Sequence, residues 1–367
     1  MRPVSLGIIG CGNVMTGAYT TLLKSLLADG VVELVGVCDL DDEAARRAAG
    51  IYGGSPTVFA HEELIHRADI ELIVVLTSMA EHGPFALEAL RAGKHVFVEK
   101  PMAVTRPQAA ELVETARTSD RYLGCAPAVI LSPTYQAMAA RLRAGAIGRP
   151  ALARARYGWS GPDWSDWYFR ESGGPLFDLG VYNLTSLTGL LGPVRGVQAM
   201  AGIVTPRRVV DGEPIDVTTF DNYQILLDFG DDVFGIVTTG FSMQRYRSPA
   251  LEIYGSDGTL QMLGDDWAPE GYELWENNVG AWQVFDTSSR KWSWTDGLRH
   301  LIECIANGAT PLTTPEHAYH VLDVMLTAME AAKENRYIAV DSTFEMPELD
   351  GGGQRTPAHR VHDRTSV

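Results

Sequence analysis

The stretch GIIGCGNVMTGAY (residues 7–19) decides how the rest of this chain is read. Residues 4–9 form a short apolar run, and Gly10-Cys11-Gly12 then interrupts it. A glycine turn between a buried strand and a helical pattern is how a nucleotide-binding unit opens. Gly10 permits the tight turn. Gly12 lacks a Cβ, so the backbone can approach a pyrophosphate held at a helix N-terminus, with Asn13 and Val14 continuing the loop. Met15 stands where the full dinucleotide fingerprint has a third small residue. That position serves helix–strand packing instead of phosphate contact, and an adaptable methionine can fill it. Taken alone, Gly-x-Gly is also compatible with a turn that binds nothing.

The surrounding pattern favours the nucleotide. Apolar runs at residues 33–38, 72–76, 95–98 and 122–126 read as buried strands, alternating with helical spacing at 42–52, 84–92 and 106–118. Short buried strands alternating with helices imply a doubly wound parallel sheet. The strand at 33–38 leads to Asp39, whose carboxylate would accept hydrogen bonds from an adenosine ribose and repel a 2′-phosphate. Arg46 and Arg47 follow a helical turn or two later and point to solvent in this reading. The cofactor expected is therefore NAD, with NADP less favoured. Asp39 can also cap the next helix.

After residue 133 the rhythm changes. A helix at 135–144, a strand at 151–159 and a glycine-opened helix at 175–191 precede a mostly stranded region at 194–285. Period-two stretches such as YQILLDF and turns such as GDD and GSDG predict hairpins, hence an antiparallel sheet with helices on one face. Helices at 296–307 and 315–334 follow. The fold expected is α/β: a Rossmann domain over residues 1–125, then an α+β domain with a large, mostly antiparallel sheet over 126–345. Residues 346–367 have little apolar content and read as a loose tail.

Composition bounds the partners. The 367 residues are 46% hydrophobic, enough for two cores, and the formal charge of −16 disfavours nucleic acid and anionic membranes. No signal segment or spanning apolar run is seen, which predicts a cytoplasmic protein. Cys11, Cys38, Cys125 and Cys304 lie far apart, consistent with reduced thiols, at least for Cys38 and Cys125 in apolar runs. His317 with His320, and His359 with His362, are three apart, but an ordinary helix face and a solvated tail explain them, and no metal is expected.

Two later constellations carry chemistry. In AGKHVFVEKP an apolar strand delivers Glu99, Lys100 and Pro101 to its C-terminal end, where open α/β sheets bind ligands. Taken alone, the lysine fits a structural ion pair as well as a catalytic role. In ESGGPLFDLGVYNLTSL, Gly173 and Gly174 make a turn, Pro175 suits a first helical position, and Asp178 and Tyr182 share a helix face. A helix cap plus a core tyrosine would look the same.

In combination, these motifs resemble the Gfo/Idh/MocA family of dehydrogenases over nearly the whole chain. The resemblance implies a Rossmann domain, a second domain with an open sheet, and a nicotinamide and substrate in the cleft between them. It makes Lys100 the catalytic lysine and Asp178 the helix carboxylate, and puts Tyr182 where many members have histidine. LTSMAEH matches the loop beside the cofactor. The cofactor set is then Gly10, Gly12, Asn13, Val14, Asp39, Thr77, Ser78, His82, Glu99 and Lys100. It also implies burial of the sheet face in a homodimer or homotetramer. CAPAVILSP (residues 125–133) is apolar where many relatives carry polar residues near the substrate, and Pro175 replaces a third glycine.

A mechanism follows for oxidising a secondary alcohol of a sugar or cyclitol. Tyr182 would accept the hydroxyl proton, with the Lys100 ammonium favouring the phenolate. Asp178 would hold the substrate or aim Lys100, and Lys100 could itself be the acid/base. In YGWSGPDWSDWYFR, Tyr157, Trp159, Trp164, Trp167 and Arg170 supply aromatic faces and a charge suited to a sugar, although such a loop could equally pack on its own domain. The same residues would also serve a redox-neutral enzyme that oxidises transiently, eliminates or hydrolyses, and returns the hydride. A dinucleotide-sensing regulator is a third possibility, but it would need neither Lys100 nor Tyr182.

Overall fold

The computed structural model describes residues 2–52, 57–247, 249–347 and the backbone of 360–361. The chain divides into two compact units, Met1–Ala128 with Thr295–Leu322, and Val129–Trp294 with Asp323–Val367. Most of the expected tail lies outside the described residues, as do His359 and His362.

The first unit is built on strands β1 (Val4–Ile9), β2 (Val32–Cys38), β3 (Thr57–Val58), β4 (Leu72–Val75), β5 (His95–Val98) and β6 (Leu123–Cys125). They pair in parallel in the order β3-β2-β1-β4-β5-β6. Chain order reverses between β1 and β4, and a ligand crevice opens beyond the strand ends at such a point. Leu6, Ile8 and the whole of β4 are buried, as a sheet covered on both faces requires.

Helices α1 (Thr20–Ala28), α2 (Asp42–Ile51), α3 (His61–His66), α4 (Met79–Arg91) and α5 (Arg106–Ser119) join these strands. Sequence places the start of the fourth at Pro84, yet α4 begins at Met79 and carries Pro84 inside it. Packing against α5 overrides the local signal, and Gly83 permits it: a Cβ there would lie 3.3 Å from Gln108 Oε1.

The second unit holds α6 (Pro133–Arg143), β7 (Pro150–Gly158) and α7 (Val181–Leu191). Its later strands are β8 (Gly196–Gly202), β9 (Arg207–Val210), β10 (Glu213–Asp216), β11 (Asn222–Gly230), β12 (Val233–Gly240), β13 (Leu251–Gly255), β14 (Gly258–Asp265), β15 (Ala268–Glu276) and β16 (Trp282–Phe285). Helices α8 (Gly297–Asn307) and α9 (Pro315–Glu334) and strands β17 (Ile338–Ala339) and β18 (Arg360–Val361) complete the chain.

Ten of these strands form one sheet, ordered β17-β8-β11-β12-β7-β13-β14-β15-β16-β18. Its pairs are antiparallel apart from β7 with β12, because the chain leaves β7 through α7 before returning to the sheet. Helices α6 and α7 pack on the sheet. Leu152, Met200, Leu226, Phe234 and Ile236 remain exposed on β7, β8, β11 and β12. Registry sets Leu226 opposite Ile236 and Phe234 opposite Leu152, so these residues form a contiguous apolar face. No helix among the described residues is long and apolar enough to cross a membrane.

Segment Thr295–Leu322 belongs to the first unit. There α8 presses on β6 so closely that a Cβ on Gly124 would lie 3.0 Å from Leu301 Cδ2.

Candidate active site

The glycine loop needs its two glycines for different reasons. Gly10 has φ +97°, and a Cβ on it would sit 2.6 Å from the Leu76 carbonyl. Gly12 has no such constraint, because a Cβ there would meet no protein atom within 4 Å. Open space over a backbone that the sequence keeps bare fits the approach of a pyrophosphate. Asn13 and Val14 lead into a wide π-helical turn, Val14–Tyr19, ahead of α1, and Met15 in that turn is fully buried.

Asp39 ties this loop to the end of β2. Its Oδ2 accepts from Cys11 N at 2.7 Å and its Oδ1 from Asp41 N at 2.9 Å. Each oxygen keeps a second acceptor site for a ribose hydroxyl. Arg46 pairs with Asp42 at 3.1 Å and Arg47 with Asp41, the N-cap of α2, at 3.5 Å, all exposed. Leu40 is fully exposed beside Asp39, an apolar side chain that the sequence reading passed over. Burial and the Asp39 charge push the Cys11 thiol up to about 12 and the Cys38 thiol up to about 11, so both are inert thiols. All four cysteines are free.

The end of β5 is held from the glycine-loop side. Tyr19 Oη donates to Glu99 Oε1 at 2.6 Å, and Lys100 N donates to Glu99 Oε2 at 3.0 Å. Glu99 is buried, so its carboxylate works as a clamp between Tyr19 and the Lys100 backbone. Lys100 itself is half-buried, and its bond to Pro101 is cis.

His82 braces the same turn: Nδ1 lies 2.7 Å from Pro101 O and Nε2 lies 3.1 Å from Thr77 O. A carbonyl only accepts, so the one N–H of the neutral ring donates to one of these two carbonyls. The ring is buried, and burial holds its basicity below the usual histidine range. Thr77 and Ser78 are half-buried where β4 gives way to α4, with Ser78 at the helix N-cap.

In the second unit Gly173 N donates to Arg170 O at 2.9 Å and Gly174 N to Tyr168 O at 2.7 Å, folding the turn back on the aromatic loop. A Cβ on Gly173 would lie 2.7 Å from Tyr168 O, so the turn excludes a side chain there. The helix expected from Pro175 opens instead as a π-helical turn, Leu176–Gly180, with α geometry from Val181. Asp178 lies in that turn, and Tyr182 follows it, buried. Wide turns of this kind are frequent at functional sites, and here both glycine turns open into one.

Tyr157 on β7 packs edge-on to Tyr182 with centroids 5.7 Å apart, and stacks on Trp267 at 6.2 Å and 19°. Burial, then the charges of Asp178, Asp266 and Asp265, push the Tyr157 phenol well above its ordinary value. Tyr246 Oη donates to Asp265 Oδ1 at 2.5 Å. Trp267, Asp265, Asp266 and Tyr246 were not singled out from sequence. They come from the turn joining β14 and β15 and from the segment before β13, which carry no local motif. Trp159, Trp164, Tyr168 and Trp167 form a separate stack, with Trp167 on Tyr168 at 3.7 Å. Arg170 is engaged with Asp166 at 3.1 Å. His317 and His320 are buried in α9, and no group of three or more His, Cys, Asp or Glu among the described residues could hold a metal ion.

Residues 4–126 match the family model "Oxidoreductase family, NAD-binding Rossmann fold" and residues 135–261 match "GFO/IDH/MocA C-terminal domain". A dTDP-3,4-didehydro-2,6-dideoxy-alpha-D-glucose 3-reductase from Streptomyces violaceoruber is 28% identical over 71% of this chain and 73% of its own. A trans-1,2-dihydrobenzene-1,2-diol dehydrogenase from Bos taurus is 25% identical over 82% of this chain and 88% of its own. The structure of levoglucosan dehydrogenase with NADH and levoglucosan superposes with a TM-score of 0.82 at 18% identity, covering 93% of this chain and all of that one. With both of its units matched in this way, the chain belongs to the Gfo/Idh/MocA family of oxidoreductases, and its first unit is that family's NAD-binding Rossmann fold.

Proposed function

We propose that this oxidoreductase moves a hydride between a secondary alcohol of a sugar or cyclitol and NAD, with Lys100, Asp178 and Tyr182 as its reacting side chains. The observation that carries the reading is the buried Tyr182 phenol, four residues on from Asp178 and packed edge-on against Tyr157. Bound NAD supplies the hydride-accepting ring. Tyr182 removes the hydroxyl proton, the Lys100 ammonium favours the phenolate, and Asp178 accepts from the substrate hydroxyl. Glu99, Tyr19 and His82 hold the Lys100 turn in place.

NAD is preferred over NADP because Asp39, bonded to the glycine loop, would meet the adenosine ribose, and Arg46 and Arg47 are held by acids at the start of α2. Exposed Leu40 offers the adenine an apolar surface. Gly10, Gly12, Asn13, Val14, Thr77 and Ser78 line the remaining path. On the substrate side, the aromatic face of Tyr157, with Trp267 behind it, suits the apolar face of a sugar ring. Trp159, Trp164, Trp167 and Arg170 form the outer wall. The relatives named above act on, or are bound to, a sugar or a cyclic diol, which supports the same class.

A screen of aldoses, inositols and anhydrosugars with NAD and with NADP is the direct test. Lys100→Met and Tyr182→Phe are expected to lose about 10²–10⁴-fold in kcat while NAD binding is retained. Full activity in either variant overturns the assignment.

The exposed apolar face of the large sheet supports a further part of this reading: a second copy of the chain covers it, giving a homodimer or a homotetramer.

A further inference from the structure

Asp266 is buried on the turn between β14 and β15, one position from Trp267. Asn183 Nδ2 donates to Asp266 Oδ2 at 2.7 Å, and Ser186 Oγ donates to the same oxygen at 3.4 Å. The other oxygen of each planar group, Oδ1 of Asp266 and Oδ1 of Asn183, is buried and makes no hydrogen bond of ordinary geometry. Two acceptors cannot satisfy one another, and leaving both bare in the interior is costly. A single proton removes the conflict: with Oδ1 of Asp266 protonated, the acid donates to the amide oxygen while the amide donates back.

We propose that Asp266 is a neutral carboxylic acid in a cyclic acid–amide pair with Asn183, and that this pair fixes the first turn of α7 and so positions Tyr182. Asn183 follows Tyr182 directly, and Ser186 is one turn further on, so both contacts bear on the start of the helix. Among the described residues, the titratable groups coupled to Asp266 are acids or phenols: Asp265 on its own turn, Tyr157 on β7 and Tyr246 ahead of β13. Of these, the Asp265 carboxylate disfavours a second negative charge, while the two phenols stay protonated and bring no positive charge that would favour one. Burial, assisted by Asp265 and opposed by the donors Asn183, Ser186 and Trp267 N–H, raises the Asp266 carboxyl to about 7. Asp266 is thus a positioning residue acting through α7. That half of the proposal rests on Tyr182 being the proton acceptor; the pairing itself does not.

The test compares Asp266→Asn with Asp266→Ala in the full chain. Asparagine can rebuild the ring as an amide–amide pair with no proton to lose, whereas alanine leaves Asn183 bare. The melting temperature of wild type should fall by about 4 °C or more relative to Asp266→Asn between about pH 4 and pH 8. An infrared band of a protonated carboxyl should be present at pH 6 in wild type and absent in Asp266→Asn. In turnover, Asp266→Ala should lose about ten- to a hundredfold in kcat with KM little changed, and Asp266→Asn should restore most of kcat with a flatter pH profile. Melting curves of wild type and Asp266→Asn that run parallel with pH, or equal destabilisation by asparagine and alanine, overturn the pairing. A wild type without NAD-linked turnover would overturn the dehydrogenase reading instead, and the melting and infrared results would still decide the pair.

Discussion

Gly10 and Gly12 are two residues apart and respond differently to a methyl group. At Gly10 the left-handed backbone and the Leu76 carbonyl at 2.6 Å both oppose a Cβ, so Gly10→Ala should cost on the order of 1–3 kcal/mol in a denaturant titration. At Gly12 the space is open, so Gly12→Ala should leave stability within about 0.5 kcal/mol while weakening NAD binding in a fluorescence titration. An unstable Gly12→Ala would mean that the loop needs this glycine for its own fold. Neighbouring residues show why residue type alone misleads. Glu99 and His82 look like cofactor contacts in the sequence, and in the fold the first also accepts from Tyr19 while the second spans two carbonyls. Both also hold the turn that carries Lys100, a role their residue types do not announce.

At the scale of elements, the two glycine turns each enter a π-helical turn before their helix becomes regular. Hydrophobic spacing finds such a helix but not its wide first turn, because the choice is made by what the turn packs against. Met15 illustrates this, being fully buried where a small residue was expected. Met15→Leu should cost less than about 1.5 kcal/mol and keep NAD binding, while Met15→Ala should cost about 2–5 kcal/mol. A tolerant Met15→Ala would show that the side chain is not a packing element. Helix α7 carries its own dependence on pH through Asp266. The folded carboxyl value of about 7 exceeds the unfolded one, so the folded chain holds the extra proton. Its contribution to stability is therefore full below about pH 4 and lost as pH rises through about 7.

Over the whole molecule, the second sheet turns an apolar surface outward through Leu152, Met200, Leu226, Phe234 and Ile236. If a second copy covers it, Leu226→Asp together with Met200→Asp should convert the assembly to monomers in size-exclusion chromatography with light scattering. An unchanged mass would place any contact elsewhere. The same scale explains which parts of the chain were legible. The alternation of buried strands with amphipathic helices is a local pattern, so β1, β2, β4, β5 and the parallel sheet could be read directly, as could the hairpins of the later sheet. Segment Thr295–Leu322 gives no local hint that it joins the first unit, because its packing on β6 depends on a bare Gly124 far away in sequence.

Motif spacing marked Gly10, Gly12, Asp39, Lys100, Asp178 and Tyr182, since each lies at the end of a strand or the opening of a helix, where short-range geometry dictates residue type. Folding alone brought Tyr19 to Glu99, the Asp265–Trp267 turn and Tyr246 to Tyr157, and Asp266 to Asn183. Those contacts join residues 80 positions apart for Tyr19 and Glu99 and 83 for Asn183 and Asp266, and they form only once the strands and helices that carry them have packed. Local chemistry repeats within a turn and is written in adjacent letters. Long-range burial is the sum of many weak contacts, and no short stretch of letters contains it.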